Sequence, residues 1–297
     1  MNVTLDQLAT LEAIHRLGSF AAAGRELGRA TSPMTYGIKG LEERLGVTLF
    51  DRSGHRAVLT AGGELILSEA KRVIRQVRRL EEVGRELEAG YEPVLSVVLD
   101  GILPMPPIMT ALREFSGRQL STRVRLMVEY LSGVRARFET AEAQMMLALD
   151  YEGDGDLSAI PLPPVETFLV VHRDHPMSQT EQPLDRAALS DHVELVVVDS
   201  VDDRDPGRHR LFLGSPHVFE VSDFHSKREA LLSGVGFGWL PLHLAEAHLN
   251  SGELQEVPFE EGSRHTLQPH LVVRQSAAAG PACRLFMELL IEAITLR

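Results

Sequence analysis

"RATSPMTYGIKGLEE", residues 29–43, combines hydroxyl side chains with a proline, two glycines and one tyrosine. Apolar residues recur in it and just beyond it at positions i, i+4, i+7 and i+11, namely Met34, Ile38, Leu41 and Leu45. This spacing predicts a helix with one buried stripe. Thr31 or Ser32 is the expected N-cap, and Pro33 fits the first turn, where its missing N–H has no helical partner.

The face opposite that stripe is polar but has few of the charges that an ordinary surface helix carries. Ser32, Thr35, Tyr36 and Lys39 lie on it. A helix that enters the major groove of DNA needs side chains that allow close approach and meet base edges, and a threonine methyl or a methionine packs against thymine. An exposed hydroxyl-rich face without function is the competing interpretation.

The flanking sequence has the pattern of a helix-turn-helix followed by a wing. A first helix is expected to end at Gly18, and a second, capped by Ser19, at Gly28. Their predicted inward residues are Leu5, Leu8 and Leu11 in the first helix and Phe20, Ala23 and Leu27 in the second. Gly46 ends the third helix, and residues 47–60 alternate like a small hairpin.

Basic side chains on either side of the third helix are candidates for phosphate contacts. Such contacts position a protein on DNA, whereas contacts with base edges give specificity. The predicted DNA-binding residues are Arg29, Thr31, Ser32, Met34, Thr35, Tyr36, Lys39, Arg52, His55 and Arg56.

Residues 60–90 are typical of one long helix, with Thr60 as the expected cap and Gly90 beyond its end. Apolar residues follow each other along it at alternating steps of four and three, which is a heptad seam. The predicted dimerisation residues on this seam are Ile66, Ala70, Val73, Val77, Leu80 and Leu87. We therefore expect this helix to pack along a partner helix, either parallel or antiparallel to it.

Beyond residue 91, short apolar runs typical of buried strands alternate with helical stretches. The runs are 94–99, 124–128, 145–149, 167–171, 194–198 and 237–240, and the helical stretches are 104–116, 134–141, 226–232, 241–250 and 281–296. This alternation predicts mainly parallel sheets with helices on both faces. Two such units fit the length, and the proline-rich "IPLPPVE" (160–166) is the expected crossing between them.

Length and composition agree with two or three domains, because 297 residues with 44% hydrophobic content can build several cores. The net charge of −12 belongs to the second part: residues 1–90 have 13 basic and 12 acidic side chains, and the rest have 17 and 30. Cys283 is the only cysteine, which excludes a cysteine zinc site. The first residues lack the layout of a signal peptide, and no window is apolar enough for a membrane span. We therefore expect a cytoplasmic location without membrane contact.

Residues 18–63, "GSFAAAGRELGRATSPMTYGIKGLEERLGVTLFDRSGHRAVLTAGG", resemble the winged helix-turn-helix of LysR-type transcriptional regulators. They carry the Gly-Ser-Phe turn, the alanine-rich second helix, and the Leu-Gly-Val-x-Leu-Phe-x-Arg and Leu-Thr-x-x-Gly runs of that family. "VVHRDHP" (170–176), "SGVGFGWLPLHLAE" (233–246) and "HLNSGELQEVP" (248–258) are similar to its effector domain.

This resemblance implies an α+β multi-domain chain: a winged helix-turn-helix DNA-binding domain (1–59), a linker and dimerisation helix (60–90), and a two-lobed α/β periplasmic-binding-like effector domain (91–297). Lobe I is expected at about 91–163 and 267–297, and lobe II at about 164–266. The implied function is sequence-specific transcription regulation that responds to a small molecule, without enzyme activity. The expected partners are double-stranded promoter DNA, a small-molecule effector and the chain itself as a dimer or tetramer. RNA polymerase is a further candidate partner, and no cofactor or metal is expected.

Ligands of open α/β sheets bind outside the carboxyl ends of the strands, which predicts a cleft between the loops at 100–103, 130–133, 199–203 and 222–225. The predicted effector-binding residues are Asp100, Ile102, Leu103, Leu131, Ser132, Gly133, Asp199, Ser200, Val201, Asp202, Phe224 and His225. Members of the family often open the first helix of this domain with a Ser or Thr that binds an effector carboxylate, whereas this chain has the hydroxyl-free "DGILPMPPIM" (100–109).

The cleft loops contain several aspartates, and their carboxylates would repel an anionic ligand. We therefore hypothesise a neutral or cationic, partly apolar effector. The alternative is that these aspartates face solvent and serve only turn chemistry.

Two other classes of protein fit the sequence less well. Twelve histidines invite a metal or triad interpretation, such as His172 with His175 or Asp223 with His225, but no third ligand and no G-x-S-x-G, H-E-x-x-H or phosphate-loop motif accompanies them. "GVGFG" (234–238) lacks the context of a dinucleotide fingerprint. An interaction scaffold built on the long helix leaves the polar face of residues 29–43 unexplained.

Overall fold

The computed structural model describes residues 3–51, 57–149, 151, 153, 157–201, 211–274 and 279–295. The chain divides into two compact units, Met1–Glu88 and Ala89–Arg297. None of the helices in the described ranges is both long enough and apolar enough to cross a membrane.

The first unit contains helices and one hairpin. In chain order they are α1 (Leu5–Leu17), α2 (Phe20–Leu27), α3 (Thr31–Leu45), β1 (Phe50–Asp51), β2 (Val58–Leu59) and α4 (Ala61–Glu88). Gly18, Gly28 and Gly46 end the first three helices in the left-handed conformation. Ser19 caps α2 and Thr60 caps α4, each accepting a backbone N–H with its hydroxyl oxygen. These predicted helix ends and caps are confirmed.

The core of this unit forms where α3 packs against its neighbours. Met34, Ile38 and Leu41 are buried, as their spacing predicts, and they pack against Leu11 and Ile14 of α1. Burial of such side chains contributes roughly 1.5–3 kcal/mol each. The apolar stripe therefore fixes which face of α3 remains outside.

Two predictions in this unit are wrong. No side chain caps α3, since the helix begins at Thr31 itself and Ala30 is its N-cap. The turn before it is short, because the Arg29 N–H donates to the Gly24 carbonyl at 2.8 Å and the chain enters α3 directly afterwards. Leu5 is not part of the core: it lies in the first turn of α1 and is 46% exposed.

The second unit alternates strands and helices. Its elements are β3 (Val94–Asp100), α5 (Met105–Gly117), β4 (Arg123–Glu129), α6 (Ser132–Thr140), β5 (Met145–Leu149), β6 (Leu157–Pro161), β7 (Val165–His172), α7 (Arg186–Ser190), β8 (Glu194–Val197), β9 (Val218–Val221), α8 (Phe224–Leu232), β10 (Phe237–Pro241), α9 (Leu242–Ser251), β11 (Leu254–Glu256), β12 (Arg264–Leu267), β13 (Pro269–Arg274) and α10 (Pro281–Thr295).

Two sheets divide this unit into two lobes. The sheet of lobe I has the order β4-β3-β5-β13-β6, and that of lobe II has the order β11-β7-β10-β8-β9, with β12 also paired to β7. The chain passes from lobe I to lobe II between Pro161 and Val165, and it returns between Leu267 and Pro269. We call these two segments the crossings.

Mainly parallel sheets were expected, and this expectation is wrong because both sheets are mixed. β3 lies parallel to β4 and β5, and β8 lies parallel to β9 and β10. β13 runs antiparallel to β5 and β6, and β7 runs antiparallel to β10, β11 and β12. In lobe I the antiparallel strand is β13, which follows the return crossing and inserts between β5 and β6, and in lobe II it is β7, which follows the outgoing crossing. The apolar runs in the sequence did not include β6, β9 or β11–β13.

Candidate functional site

The outer face of α3 presents polar side chains to solvent. Tyr36 is 80% exposed, and Thr31, Ser32 and Lys39 are also exposed. The Gln7 side chain of α1 donates to the Gly37 carbonyl at 3.0 Å and so ties the middle of α3 to α1. The helix is therefore held rigidly while these side chains remain accessible.

Two of the predicted DNA-binding residues have other contacts. Met34 is only 3% exposed and packs in the core, so its inclusion among base-contacting residues is wrong. Its place in the i, i+4 stripe already fixes it on the inner face. The half-buried Thr35 donates its hydroxyl to the Thr31 carbonyl at 3.0 Å, which leaves the oxygen of that hydroxyl as an acceptor.

The wing strands are pinned to α3 by one carboxylate. Glu42 Oε1 accepts the N–H groups of Leu49 at 2.8 Å and Phe50 at 3.3 Å. The hairpin pairs Phe50 with Leu59 and Asp51 with Val58. Residues 52–56 at its tip lie outside the described residues, and so do the predicted contacts Arg52, His55 and Arg56.

The described cations beside this face form exposed ion pairs. Arg29 pairs with Asp6, and Lys39 Nζ lies 4.0 Å from Glu43 Oε1. Ion pairs between exposed side chains contribute roughly 0–1 kcal/mol, so both cations can exchange these partners for phosphate at little cost.

The seam on α4 divides into two parts. Ala70 is 2% exposed and packs, with the half-buried Ile66, into the core of its own unit. The prediction that Ala70 faces a second chain is therefore wrong, because it is covered within its own unit, where α1 packs against α4. Val73, Leu80 and Leu87 are exposed, Leu80 to 70%, and Val77 is half-buried.

In the second unit, the structure brings the described residues of the four predicted cleft loops together at the carboxyl ends of β3, β4, β8 and β9. Three successive backbone N–H groups of lobe I donate hydrogen bonds to side chains there. Tyr130 N–H donates to Ser200 Oγ at 2.8 Å, Leu131 N–H to Asp100 Oδ2 at 3.3 Å, and Ser132 N–H to Asp199 Oδ2 at 3.1 Å. Asp199 and Ser200 belong to lobe II, so two of these three bonds join the lobes.

This interlobe contact, formed by Asp199 and Ser200 on residues 130–133, is close. A Cβ at Gly133 would lie 2.5 Å from the Ser200 Cβ, so only glycine fits there. Leu131 has a φ of +55°, a strained value for a residue with a side chain, and hydrogen bonds on both sides hold it. The protein's own carboxylate thus occupies the N-terminus of α6, where a helix favours an anion.

The carboxylate of Asp100 is buried beneath this contact. Its Oδ1 accepts the Ile102 N–H at 3.0 Å. The pKa of Asp100 is raised from 3.8 to about 6, mainly by burial and to a smaller extent by the nearby charge of Asp199, while two backbone hydrogen bonds act in the opposite direction. Burial, followed by the charges of Asp223 and Asp100, raises the pKa of Tyr130.

The remaining predicted effector residues lie in different environments. Ile102, Leu103 and Phe224 are buried in the main core cluster, although the Phe224 ring also lies 6.0 Å from that of Tyr130. Val201 and His225 are exposed. Asp202 lies outside the described residues.

Tyr130 and Lys227 were missed by the sequence analysis as members of this region. Tyr130 belongs to a predicted loop, but only the structure shows its N–H on Ser200. Lys227, on α8, is buried with its Nζ 5.8 Å from the centre of the Phe224 ring, and burial lowers its pKa to about 7. No pattern in the sequence could distinguish it from an ordinary exposed helix lysine.

Two residues that a metal or catalytic-triad interpretation would use, His175 and Asp223, have structural roles. His175 Nδ1 accepts the Met177 N–H at 3.2 Å, and Asp223 caps α8 by accepting the Ser226 N–H at 2.8 Å. Within the described ranges no group of three or more His, Cys, Asp or Glu side chains could hold a metal ion. Cys283 is buried, and burial raises the pKa of its thiol to about 11.

Two family models match the chain. A "Bacterial regulatory helix-turn-helix protein, lysR family" model matches residues 5–64, and a "LysR substrate binding domain" model matches residues 89–295.

Individual regulators of this kind are similar to the chain over most of its length. The probable HTH-type transcriptional regulator YhaJ of Escherichia coli K12 is 30% identical over 263 residues, which cover 88% of each chain. The HTH-type transcriptional regulator YeeY of the same organism, described as uncharacterized, is 31% identical over 258 residues, covering 86% of this chain and 83% of YeeY. The solved structure of CrgA, a LysR-type transcriptional regulator from Neisseria meningitidis, shares the fold with a TM-score of 0.54 at 21% identity, covering 97% of this chain and 98% of CrgA.

The helix-turn-helix geometry, the two-lobed second unit and these matches lead to one conclusion: the chain belongs to the LysR family of DNA-binding transcriptional regulators that carry an effector-binding domain.

Proposed function

We propose that α3 reads DNA bases through Ser32, Thr35, Tyr36 and Lys39, while Arg29, Arg52, His55 and Arg56 contact phosphates. The observation that carries this proposal is the 80% exposure of Tyr36 on a helix whose opposite face is buried. Thr31, at the start of α3, is exposed beside them. An 80% exposed tyrosine in the middle of a surface helix favours a ligand for that face.

Selection of binding sites from random DNA by the full-length chain would provide an operator for the test. Tyr36→Ala should then reduce the ratio of operator to random-DNA affinity, because a good base contact contributes about 1–3 kcal/mol. Arg29→Ala should weaken binding to both DNAs and reduce the salt dependence by about one phosphate. Glu88→Ala, at an exposed position on α4, is the matched control. Equal loss on both DNAs for Tyr36→Ala would contradict base reading.

We infer that a small-molecule effector binds where the four loops meet and that it separates the interlobe contact. The backbone N–H groups that could bind a small anion already bind Ser200, Asp100 and Asp199. An anionic effector would have to displace these carboxylates, and a neutral or cationic, partly apolar effector would not. The occupied N–H groups and the aspartates of the loops therefore favour the same class of effector.

Thermal-shift screening of the full-length chain tests this effector class. Amines and neutral aromatic compounds should raise the melting temperature, and simple mono- and dicarboxylates should not. Stabilisation by carboxylates alone would overturn the proposal. Asp199→Asn, which keeps the shape and removes the charge, should weaken the binding of amines.

We further propose that the exposed part of the α4 seam, at Val73, Val77, Leu80 and Leu87, pairs with a second copy, giving a dimer or tetramer on the promoter. Exposed apolar side chains at heptad spacing support this pairing. Promoter-bound regulators lie beside RNA polymerase in the cytoplasm, so polymerase is the further partner that we propose.

A further inference from the structure

An apolar cavity lies in the effector-binding unit, next to the first of the four loops, whose Leu103 lines it. Its volume is about 180 Å³. It forms where the two proline-rich stretches of the sequence, 102–107 and 160–166, converge with the return crossing and the end of α10. Leu103, Pro107, Leu162, Pro164, Pro269 and Ile294 are among the residues that line it.

The lining offers a ligand no hydrogen bonds from side chains. All of the described residues around the cavity are apolar, and five of them are prolines, which have no N–H to donate. Two of the carbonyls at the crossings already accept hydrogen bonds: Gln268 Nε2 donates to Leu162 O at 2.6 Å and to Pro269 O at 3.0 Å. The Leu162 N–H also donates to Pro269 O, at 2.9 Å. A polar ligand would therefore lose its hydrogen bonds to water without replacement.

The volume matches a small ring. An apolar cavity of about 150 Å³ lined by aliphatic and aromatic side chains stays dry and binds benzene. This cavity of about 180 Å³ has room for a ring with one small substituent, and it opens to solvent beside the exposed Pro163 and Pro164, which gives the ring a way in. We propose that this cavity is a second ligand site, for a neutral apolar molecule of about one aromatic ring.

The position of the cavity gives such a ligand a means to act on the regulator. Leu162 and Val165 flank the outgoing crossing, and Pro269 follows the return crossing. Leu103 and Asp100 belong to the same turn, in which the Leu103 N–H donates to the Asp100 carbonyl at 3.1 Å. A ligand there contacts both segments that join the lobes, so its binding affinity would differ between lobe arrangements.

Toluene is the probe for the test, and the full-length chain is the sample. At ten times its dissociation constant, toluene should raise the melting temperature by about 3 °C. Benzoate and benzylamine have the same ring with a charge, and they should bind at least ten times more weakly at this site. Absence of any shift with saturating toluene would overturn the proposal.

Variants at the end of α10 locate the site. Ile294→Trp places a ring in the cavity and should abolish the shift, and Glu292→Trp, which adds the same ring at an exposed position one half-turn away, should retain it. Equal toluene stabilisation of a folded Ile294→Trp variant would place the ligand elsewhere and refute the site.

Two further variants keep the proposal testable if the tryptophan destabilises the fold. Ile294→Ala enlarges the cavity and should change the preference in favour of p-xylene over toluene; an unchanged preference would count against the cavity. His225→Trp adds a ring at an exposed position in the four loops, leaves the interlobe hydrogen bonds in place, and should keep toluene affinity within about twofold. Loss of toluene binding in that variant would show that the probe binds between the four loops.

Discussion

Replacing Asp199 by alanine should open the interlobe contact. The change removes a carboxylate that accepts the Ser132 N–H at 3.1 Å and the Val201 N–H at 3.0 Å. A hydrogen bond to a charged group contributes about 1.5–3 kcal/mol, and the N-terminus of α6 adds to it. Because the carboxylate is only half-buried, about 2 kcal/mol is a reasonable loss, and this corresponds to about a 30-fold change in a local equilibrium.

Amide hydrogen exchange measures that equilibrium directly. In the full-length variant, the amides of residues 130–132 should exchange about 30-fold faster than in the wild type, while the central strand β3 should keep its protection. Asp191→Ala removes an exposed carboxylate from the same lobe and is the matched control. Unchanged protection of the Ser132 amide in Asp199→Ala would refute the conclusion that this carboxylate holds the lobes together.

Four other substitutions or conditions give separate tests. Val77→Asp should place two carboxylates in an apolar interface, at a cost of several kcal/mol, and sedimentation should then show smaller particles; an unchanged mass would locate dimerisation elsewhere. Since folding favours protonated Asp100, with its pKa of about 6, the free energy of unfolding should fall by about 2 kcal/mol as pH rises from 4 to 7, as reported by the single tryptophan, Trp239. Asp100→Asn should remove that slope, and a slope that persists would assign it to another group. Since folding favours neutral Lys227, stability should rise from pH 7 towards pH 9, below the range where the raised pKa of Cys283 acts in the opposite direction, and Lys227→Met should abolish that rise. Gly24→Ala should cost about 1–3 kcal/mol in the first unit, because its Cβ would lie 2.7 Å from the Arg29 carbonyl oxygen, and a melting curve with no loss of stability would contradict this packing.

Local signals along the chain were sufficient to predict the helix ends and the buried faces of most of the first unit. Gly18, Gly28 and Gly46 end helices because a left-handed residue is needed there, and this requirement is visible one residue at a time. The spacing of Met34 and Ile38 defines the inner face of α3, because helical periodicity depends only on the neighbouring turns. The polar outer face follows from the same spacing, and the family resemblance rests on the same stretch.

Contacts between residues far apart in the chain could not be predicted from local sequence patterns. The pairing of Asp199 with Ser132 joins loops 67 residues apart on different lobes, and no periodicity relates them. Ala70 fits a heptad seam in the sequence, yet α1 covers it in the folded unit. The sequence predicts the start of a helix within 102–107 and a crossing at 160–166, and the two stretches line one cavity only because the fold brings them together. A sequence pattern states which face of an element is apolar, whereas the arrangement of the elements selects the partner that covers it.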